Sequence, residues 1–258
     1  MRGNYSTLKS YSGISFKLTK CYFDVLQEKK VSPKGSVNDK KLESNISRAR
    51  TAIFEYAICN PWDYFLTFTL SPENNNRYDL TAFMQRLGQW LRNYNRLHDV
   101  NLKYLLVPEQ HKDGAWHMHG FLMGLPPDHL TDFADYKKRK LPKYIRDKIK
   151  QGGLIYNWEA YEKKFGFCDL EPIRSHEAAA KYVTKYISKN LYESVIAVNS
   201  KLYYVSQGLA RAEIMKKGVI PNSDKMGTTP NFFNAYCEVY NTRSADQAAT
   251  WSDKIIAL

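Results

Sequence analysis

The chain has 258 residues, of which 43% are hydrophobic, so it is long enough to bury a core, and disorder of the whole chain is excluded. Its formal net charge is +12, and 14% of its residues are aromatic. A surplus of lysine and arginine favours a polyanionic partner, and aromatic rings offer stacking platforms for unpaired bases. Composition therefore favours a nucleic-acid partner, with a basic metabolic enzyme as the alternative.

The cysteines and the apolar segments bear on location. Cys21, Cys59, Cys168 and Cys237 are far apart and form no C-x-x-C pair, which predicts neither a zinc knuckle nor a disulfide framework. The first twenty residues lack an apolar segment of signal-peptide length, and no later run approaches the roughly 18 apolar residues that span a bilayer. We therefore expect reduced thiols, a cytoplasmic location and no membrane partner.

The first half of the chain predicts an arm, two helices and a strand. Residues 1–40 carry lysine and arginine without periodicity, which predicts a basic arm that is either a solvated terminus or a DNA contact. Apolar residues recur at helical spacing over 39–59 and again over 79–96, so both segments are predicted helices. Between them, residues 62–70 are rich in aromatic and β-branched side chains and predict a central strand.

The segment 103–123 predicts a β-hairpin, with its turn at Lys112-Asp113-Gly114. Side chains alternate between the two faces of a strand, so His117 and His119 point to the same side. Glu109, on the other arm, is placed to lie beside them and to add a carboxylate. The pattern predicts a two-histidine, one-carboxylate site for a divalent cation, with coordination positions left open.

Two points about this cation site stay open at the level of sequence. Histidines in a strand are often ordinary polar residues on a solvated face, although three of the six histidines lie within nine residues here, which favours a metal site. His111 and Gln110 remain substitutes for Glu109, because the hairpin register cannot be fixed from sequence alone.

The second half of the chain predicts a basic insertion followed by further core elements. Residues 127–164 are polar and basic and are interpreted as an insertion. Residues 165–173 and 201–205 are predicted strands, Ser175 is a predicted N-cap for a helix over 176–189, and a short helix is predicted over 208–217. Residues 218–258 are interpreted as a tail of uncertain order. The sequence has no Gly-x-x-x-x-Gly-Lys-Ser/Thr loop, so we expect no ATPase module in this chain.

The helix predicted over 176–189 carries an unusual polar surface. Tyr182 and Tyr186 are four residues apart, and Lys185 and Lys189 follow them by three residues each, so two phenols and two ammonium groups share one side. A phenol has a pKa near 10 and is a poor nucleophile at neutral pH unless cations or a base favour the phenolate. The alternative is that these tyrosines only pack; their combination with a cation site favours a nucleophile.

Three short motifs, taken together, resemble the HUH-type (His-hydrophobic-His) rolling-circle replication initiators of single-stranded DNA viruses, phages and plasmids. They are Phe65-Leu-Thr-Phe-Thr-Leu70, Trp116-His-Met-His-Gly120 and Tyr182-Val-Thr-Lys-Tyr-Ile-Ser-Lys189, in the family order. The last is similar to the two-tyrosine form found in initiators of small isometric DNA phages. The resemblance covers about residues 60–206.

The resemblance implies an α+β fold, the HUH/RRM-like nickase fold, with a central, mainly antiparallel five-stranded sheet and flanking helices. It implies that Glu109, His117 and His119 hold Mg²⁺ or Mn²⁺ against the scissile phosphate. Tyr182 or Tyr186 would then attack, leaving a 5′-phosphotyrosine link and a free 3′-OH. On this interpretation the chain is a sequence-specific endonuclease and strand transferase, with its nuclease domain over 41–217.

The implied partners are single-stranded DNA at a replication origin, a host helicase that unwinds it and a polymerase that extends the 3′-OH. Among individual residues, we expect Lys185 and Lys189 to assist the tyrosines, and Thr67, Thr69 and Lys181 to contact DNA. The alternatives are an HUH transposase or mobilisation relaxase, a non-catalytic single-stranded nucleic-acid-binding protein, and a metallohydrolase that activates water.

Overall fold

The computed structural model describes residues 2–24, 39–73, 75–136, 140–187, 192, 194 and 201–257. The chain divides into two compact units, Asn38–Leu209 and a second unit that combines Met1–Val37 with Ala210–Leu258. Each unit contains an antiparallel sheet and helices, which confirms the α+β class. We call them the central unit and the terminal unit.

The described elements, in chain order, comprise twelve strands and six α-helices. The strands are β1 (Arg2–Tyr11), β2 (Ser15–Asp24), β3 (Tyr64–Thr69), β4 (Lys103–Gln110), β5 (Trp116–Met123), β6 (Thr131–Asp132), β7 (Tyr156–Asn157), β8 (Cys168–Pro172), β9 (Tyr204–Val205), β10 (Glu213–Gly218), β11 (Phe232–Phe233) and β12 (Cys237–Thr242). The helices are α1 (Asp39–Ile58), α2 (Leu80–His98), α3 (Lys143–Lys150), α4 (Glu159–Lys164), α5 (His176–Val183) and α6 (Ala245–Lys254).

The sheet of the central unit has the order β6-β7-β8-β3-β5-β4-β9. Strand β5, which carries the His-hydrophobic-His motif, lies between β3 and β4, and β3 lies between β5 and β8, so both are central strands as predicted. The sheet has seven strands rather than five, because the two-residue strands β6, β7 and β9 extend its edges.

Helices cover both faces of this sheet. On one face, Phe68 of β3 stacks on Tyr161 of α4 with ring centres 4.0 Å apart, and Trp90 of α2 packs against the same cluster. Side chains alternate along β3, so Phe65 faces the other way, where Tyr182 of α5 packs edge-on against it. The tyrosine helix and the sheet therefore share the face on which the histidines lie.

The tyrosine helix begins where the sequence predicts and ends earlier. The hydroxyl oxygen of Ser175 accepts a hydrogen bond from the Ala178 N–H, which confirms the N-cap. Helix α5 then ends at Val183 instead of reaching residue 189, and residues 184–186 form a tighter 3₁₀ turn. Arg50 of α1 donates two hydrogen bonds, of 3.0 and 2.6 Å, to the carbonyl of Ile187 just beyond that turn.

The segment 127–164 belongs to the sheet more fully than an insertion would. Strand β7 pairs with β8, and Trp158 and Tyr161 are fully buried in the main core. A small additional core forms from the apolar side chains of Phe133, Tyr136, Ile145 and Ile155. These apolar residues are dispersed among lysines and glutamates, so the basic composition concealed them.

The terminal unit joins both ends of the described chain in one sheet, with the order β10-β1-β2-β12-β11. The residues expected to form a basic arm instead form the β1–β2 hairpin, and the expected tail supplies β11, β12 and α6. The core contains Leu8, Leu18, Tyr240 and Trp251.

The helix predicted over 208–217 is wrong. Residues 213–218 form strand β10, which pairs with β1. The Ala-Arg-Ala-Glu sequence at 210–213 has high helix propensity, but hydrogen bonding to a distant strand outweighs that weak local preference. Every helix within the described residues is too short or too polar to cross a membrane.

Candidate functional site

The strand register brings the predicted ligands together on one face of the central sheet. Glu109 of β4 lies directly opposite His117 of β5. On the other side of β5, Thr69 of β3 is opposite His117, and Thr67 is opposite His119. Directly opposite residues in an antiparallel pair have their side chains on the same face, so all five side chains converge.

Hydrogen bonds fix the orientation of both imidazoles. The Nε2 atom of His119 lies 2.8 Å from Oε2 of Glu109, and its Nδ1 atom lies 3.4 Å from the Thr67 hydroxyl. The Nδ1 atom of His117 lies 3.0 Å from the Thr69 hydroxyl. Thr67 and Thr69, which we expected to contact DNA, thus hold the histidine rings in place.

The electrostatics of the cluster favour a neutral imidazole beside a charged carboxylate. Burial, together with the nearby His111 and His119, lowers the pKa of His117 to about 4. The hydrogen bond with His119 lowers the pKa of Glu109, assisted by the charges of the neighbouring histidines. At neutral pH both groups are in the protonation states that can bind a metal ion.

His111, the possible substitute for Glu109, has a different place. Its ring stacks on that of His117, with ring centres 3.6 Å apart and 15° between the planes. His111 lies beyond the last residue of β4, whereas Glu109 is on the strand, opposite His117, and hydrogen bonded to His119. The geometry favours Glu109 as the carboxylate partner of the two histidines.

The donor set suits a divalent cation, although the side chains are held by one another. Within the ranges that the structure describes, no group of three His, Cys, Asp or Glu side chains is already spaced as a ligand cage. Glu109 and His119 instead hydrogen bond directly to each other. Two imidazoles and a carboxylate on one rigid sheet, each ring oriented by a threonine, remain a chemically appropriate set for Mg²⁺ or Mn²⁺.

The two tyrosines lie against this cluster. The ring of Tyr186 stacks on His119 with ring centres 4.0 Å apart, and its hydroxyl donates a 3.0 Å hydrogen bond to the hydroxyl oxygen of Tyr182. Tyr182 is 46% exposed. Burial, then the hydrogen bond to Tyr182, raises the pKa of Tyr186, so Tyr186 holds its proton strongly while Tyr182 is the more accessible phenol.

The predicted lysines separate into three cases. The Nζ atom of Lys185 lies 5.4 Å from the centre of the Tyr182 ring, where it can interact with a negative charge on that phenol. Lys181 forms a 2.7 Å ion pair with Glu177 one helical turn earlier. Lys189 lies outside the described residues.

The sequence interpretation missed a buried carboxyl group beneath the histidines. Asp169 of β8 lies opposite Thr67, is 4% exposed, and accepts a 2.8 Å hydrogen bond from the hydroxyl of Tyr144. Burial raises the pKa of Asp169 to about 6, against the lowering effect of hydrogen bonds from Tyr144 and Thr67. Thr67 therefore connects Asp169 to His119. The alternation Asp169-Leu170-Glu171 was the available signal, but it does not reveal which strand lies alongside.

These observations define a class of protein: an α+β domain whose antiparallel sheet presents two histidines and a carboxylate beside a pair of tyrosines. Residues 63–191, half of the chain, match the model of the family described as Replication-associated protein ORF2. The chain belongs to this family and is a replication-associated protein. The matched residues include all three motifs, and the resemblance drawn from them is confirmed. No curated protein and no solved structure matches the chain.

Proposed function

We propose that this replication-associated protein nicks and rejoins single-stranded DNA at a replication origin and thereby initiates rolling-circle replication. The observation that carries the proposal is the stacking of Tyr186 on His119, with ring centres 4.0 Å apart. This contact joins the tyrosine turn to the histidine strand and so combines a nucleophile with a site suited to a cation. A net charge of +12 is appropriate for a polyanionic substrate.

In the proposed reaction, a tyrosine oxygen forms a bond to phosphorus while the bond from phosphorus to the 3′ oxygen breaks. The phenol loses its proton, and the departing 3′ oxygen takes up a proton to become a 3′-OH. The other product is a 5′-phosphotyrosine link between protein and DNA. Rejoining reverses these changes, because a 3′-OH attacks the phosphotyrosine and the phenol is released.

Tyr182 is the better candidate for the attack. It is the more exposed phenol, and its oxygen accepts the hydrogen bond from Tyr186, the arrangement that would stabilise a phenolate at Tyr182. Lys185, whose Nζ atom lies 5.4 Å from the Tyr182 ring centre, would stabilise negative charge on the phenol or on the phosphate.

Glu109, His117 and His119 would hold Mg²⁺ or Mn²⁺, which supplies a Lewis acid to the scissile phosphate when bound. Thr67 and Thr69 keep the two imidazoles oriented for this purpose. A polymerase would extend the 3′-OH, and a host helicase would separate the strands.

The proposal is tested by covalent capture of DNA. The full chain is incubated with Mn²⁺ and a pool of single-stranded oligonucleotides that have a randomised centre and a 3′ fluorescent label. Cleavage with attachment at the 5′ phosphate transfers the label to the protein, which is then seen on a denaturing gel. We expect a labelled protein band that EDTA abolishes, and sequencing of the attached DNA would identify the cleaved site.

The control variants assign the nucleophile. Tyr182→Phe combined with Tyr186→Phe should remove the band, whereas Tyr5→Phe combined with Tyr236→Phe, at two exposed tyrosines of the terminal unit, should leave it unchanged. A band that persists in the first double variant would refute the assignment. Shortened labelled DNA without attached protein would indicate a hydrolase that activates water, and binding without cleavage would indicate a non-catalytic protein.

Metal binding has a readout of its own. Electron paramagnetic resonance of free Mn²⁺ measures how much of the ion the protein binds, without any DNA. We expect His117→Gln and Glu109→Gln to weaken Mn²⁺ binding by about tenfold or more, since each removes a ligand. Equal Mn²⁺ binding by these variants and the unmodified chain would place the cation elsewhere.

A further inference from the structure

The terminal unit contains a cavity that the proposed nicking reaction does not use. It has a volume of about 720 Å³, which is in the range of ligand-binding clefts. Strand β2 lines it with Lys20 and Tyr22, β12 lines it with Glu238 and Tyr240, and the loop of residues 222–228 closes another side. All of these residues belong to the terminal unit.

A buried cation faces this cavity without an anionic partner at contact distance. Lys20 is only 4% exposed, and in the described part of the chain its ammonium group has neither a hydrogen bond nor an ion pair within 4 Å. Its Nζ atom lies 5.5 Å from the centre of the Tyr22 ring. Burying a charge without a paired group is costly, so the position of Lys20 favours an anionic ligand.

The nearest carboxylate is already engaged. Glu238 lies opposite Lys20 across β2 and β12, yet its Oε2 atom accepts a 2.7 Å hydrogen bond from the hydroxyl of Tyr240. Tyr22 also hydrogen bonds to this carboxylate. Glu238 therefore moderates the charge of Lys20 through space but does not neutralise it by contact.

The loop that closes the cavity is held in place and offers further polar groups. The side chain of Asn4, itself 4% exposed, donates to the Asn222 side chain at 3.0 Å and to the Ile220 carbonyl at 2.7 Å. The indole N–H of Trp251 donates to the Met226 carbonyl at 3.3 Å. The loop is thus preorganised. Gly227, with φ of +72°, has no atom within 4 Å of where a Cβ would lie, so its backbone is open to a ligand.

The side chains that line the cavity divide into kinds that suit different parts of one ligand. The cations are Lys20 and Lys225, and the ring of Tyr22 is an aromatic surface. Amide, carboxylate and hydroxyl groups come from Asn222, Asp224, Thr228 and Asn234. A cation beside an aromatic ring and hydrogen-bonding side chains matches a phosphate attached to a nucleoside better than it matches a simple anion.

We propose that this cavity binds a nucleotide, with the phosphate on Lys20 and the base against Tyr22. The nucleotide is either free or part of a DNA strand, because both present the same phosphate and base. The site would give this replication-associated protein a second nucleic-acid contact in a separate unit. It does not depend on the proposed nicking reaction.

The test uses the full chain with Tyr182→Phe and Tyr186→Phe, in EDTA, so that failure of the nicking proposal does not affect the result. The probes are 5-iodo-deoxyuridine monophosphate and a single-stranded oligo(dT) that contains one 5-iodo-deoxyuridine. Ultraviolet light links the iodinated base to an aromatic ring in contact with it, and peptide mass spectrometry then identifies the ring. We expect the link at Tyr22.

The two probes distinguish the two sources. Linkage by the monophosphate indicates a site for a free nucleotide, and linkage by the oligonucleotide alone indicates a site for a strand; both results support the proposal. Iodo-deoxyuridine without a phosphate should link at least tenfold less, since a charge-assisted phosphate contact is lost. Absence of any link at Tyr22, or equal linkage with and without the phosphate, would overturn the proposal.

Lys20→Met tests the cation, with Lys17→Met as the matched control on the opposite face of the same strand. We expect Lys20→Met to reduce linkage at Tyr22 about tenfold or more and Lys17→Met to change it by less than about twofold. Without ligand, Lys20→Met should raise the melting temperature, because an unpaired buried charge is removed. Unchanged linkage in Lys20→Met would refute the role of Lys20, and linkage by the unmodified Lys20 protein tests the site even if that variant does not fold.

Discussion

The ring of Tyr186 lies parallel to the imidazole of His119, with 8° between the planes and 4.0 Å between ring centres. Arg50 secures this arrangement by binding the carbonyl of Ile187, the next residue along the chain. Three elements distant in sequence, α1, β5 and the turn after α5, thus determine where the tyrosines lie. The order of the tyrosines follows from this arrangement: Tyr186 is the inner phenol and Tyr182 the outer one.

The two phenols are expected to differ in a kinetic test. Tyr186→Phe keeps the ring on His119 but removes the hydroxyl that donates to Tyr182. We expect the rate of adduct formation to fall about tenfold, the equivalent of roughly one hydrogen bond, whereas Tyr182→Phe should abolish the adduct. Single-turnover capture of the labelled oligonucleotide measures both rates. A fast Tyr182→Phe variant beside an inactive Tyr186→Phe variant would reverse the roles.

Asp169→Asn is expected to stabilise the protein at neutral pH. Burial raises the pKa of Asp169 to about 6 in the folded chain, whereas an unfolded aspartate has a pKa of about 3.9. As the pH rises from 4 to 6, the unfolded state ionises first, so this group reduces the free energy of unfolding over that interval. The reduction is complete above pH 6 and amounts to at most about 3 kcal/mol.

Urea unfolding measured between pH 4 and pH 8 checks this expectation. The difference between Asp169→Asn and the unmodified chain should be small at pH 4, grow to pH 6 and then remain constant. Tyr144→Phe, which removes the hydroxyl that donates to Asp169, should further raise the pKa of Asp169. A difference that does not change with pH would show that Asp169 titrates normally.

Gly120→Ala is expected to destabilise the central sheet. A Cβ at this position would overlap the carbonyl oxygen of Leu105 on the neighbouring strand β4, and backbone cannot move aside easily. We expect a loss of about 3 kcal/mol in the free energy of unfolding. Gly88→Ala in α2 is the matched control: its Cβ would lie 3.6 Å from Nη1 of Arg92, an ordinary contact, so helix propensity should make it stabilising by about 1 kcal/mol. A fully stable Gly120→Ala variant would contradict the β4–β5 register.

Cys21 and Cys237 are expected to form a disulfide when the purified protein is oxidised. They lie directly opposite each other on β2 and β12, and the neighbouring hydrogen bond from Tyr22 N to Tyr236 O makes theirs the non-hydrogen-bonded pair. Such pairs have Cα atoms about 4.5 Å apart, within the range that a disulfide spans. Burial, and then Cys237, raises the pKa of Cys21, so oxidation by diamide should be faster at pH 9 than at pH 7.

Peptide mapping without reduction measures this bond. Cys59 and Cys168 are buried and should remain as thiols, which provides an internal control. A disulfide that involves either of them, or none between Cys21 and Cys237, would contradict the pairing of β2 with β12 in the terminal sheet.

The hairpin of the candidate site could be predicted from sequence because its information is local. The turn ends at Gly114, with φ of +85°, and alternation along the two arms then brings Glu109 opposite His117. Asp169 could not be found this way. Its place beneath His119 depends on the pairing of β8 with β3, across about a hundred residues of chain, and nothing in a single strand specifies its neighbour.

The remaining differences also come from long-range contacts. Residues 184–189 contain no glycine or proline to end a helix, so the early end of α5 was not visible in the sequence; the contact from Arg50 to Ile187 lies beyond local reach. The terminal unit was missed for the same reason. Its β1–β2 hairpin is basic and resembles an arm until the strands from residues 213–242 supply the rest of the sheet.

Pairing of β2 with β12 imposes an order on folding during synthesis. The hairpin of β1 and β2 leaves the ribosome first, yet one of its sheet partners is encoded more than two hundred residues later. Residues 38–209 contain their own core and can fold in the interval, while the hairpin must wait with an unpaired edge. The β1–β2 hairpin is therefore the part of a growing chain most exposed to pairing with a second copy, and slow translation of the codons for β10 to α6 would prolong that exposure.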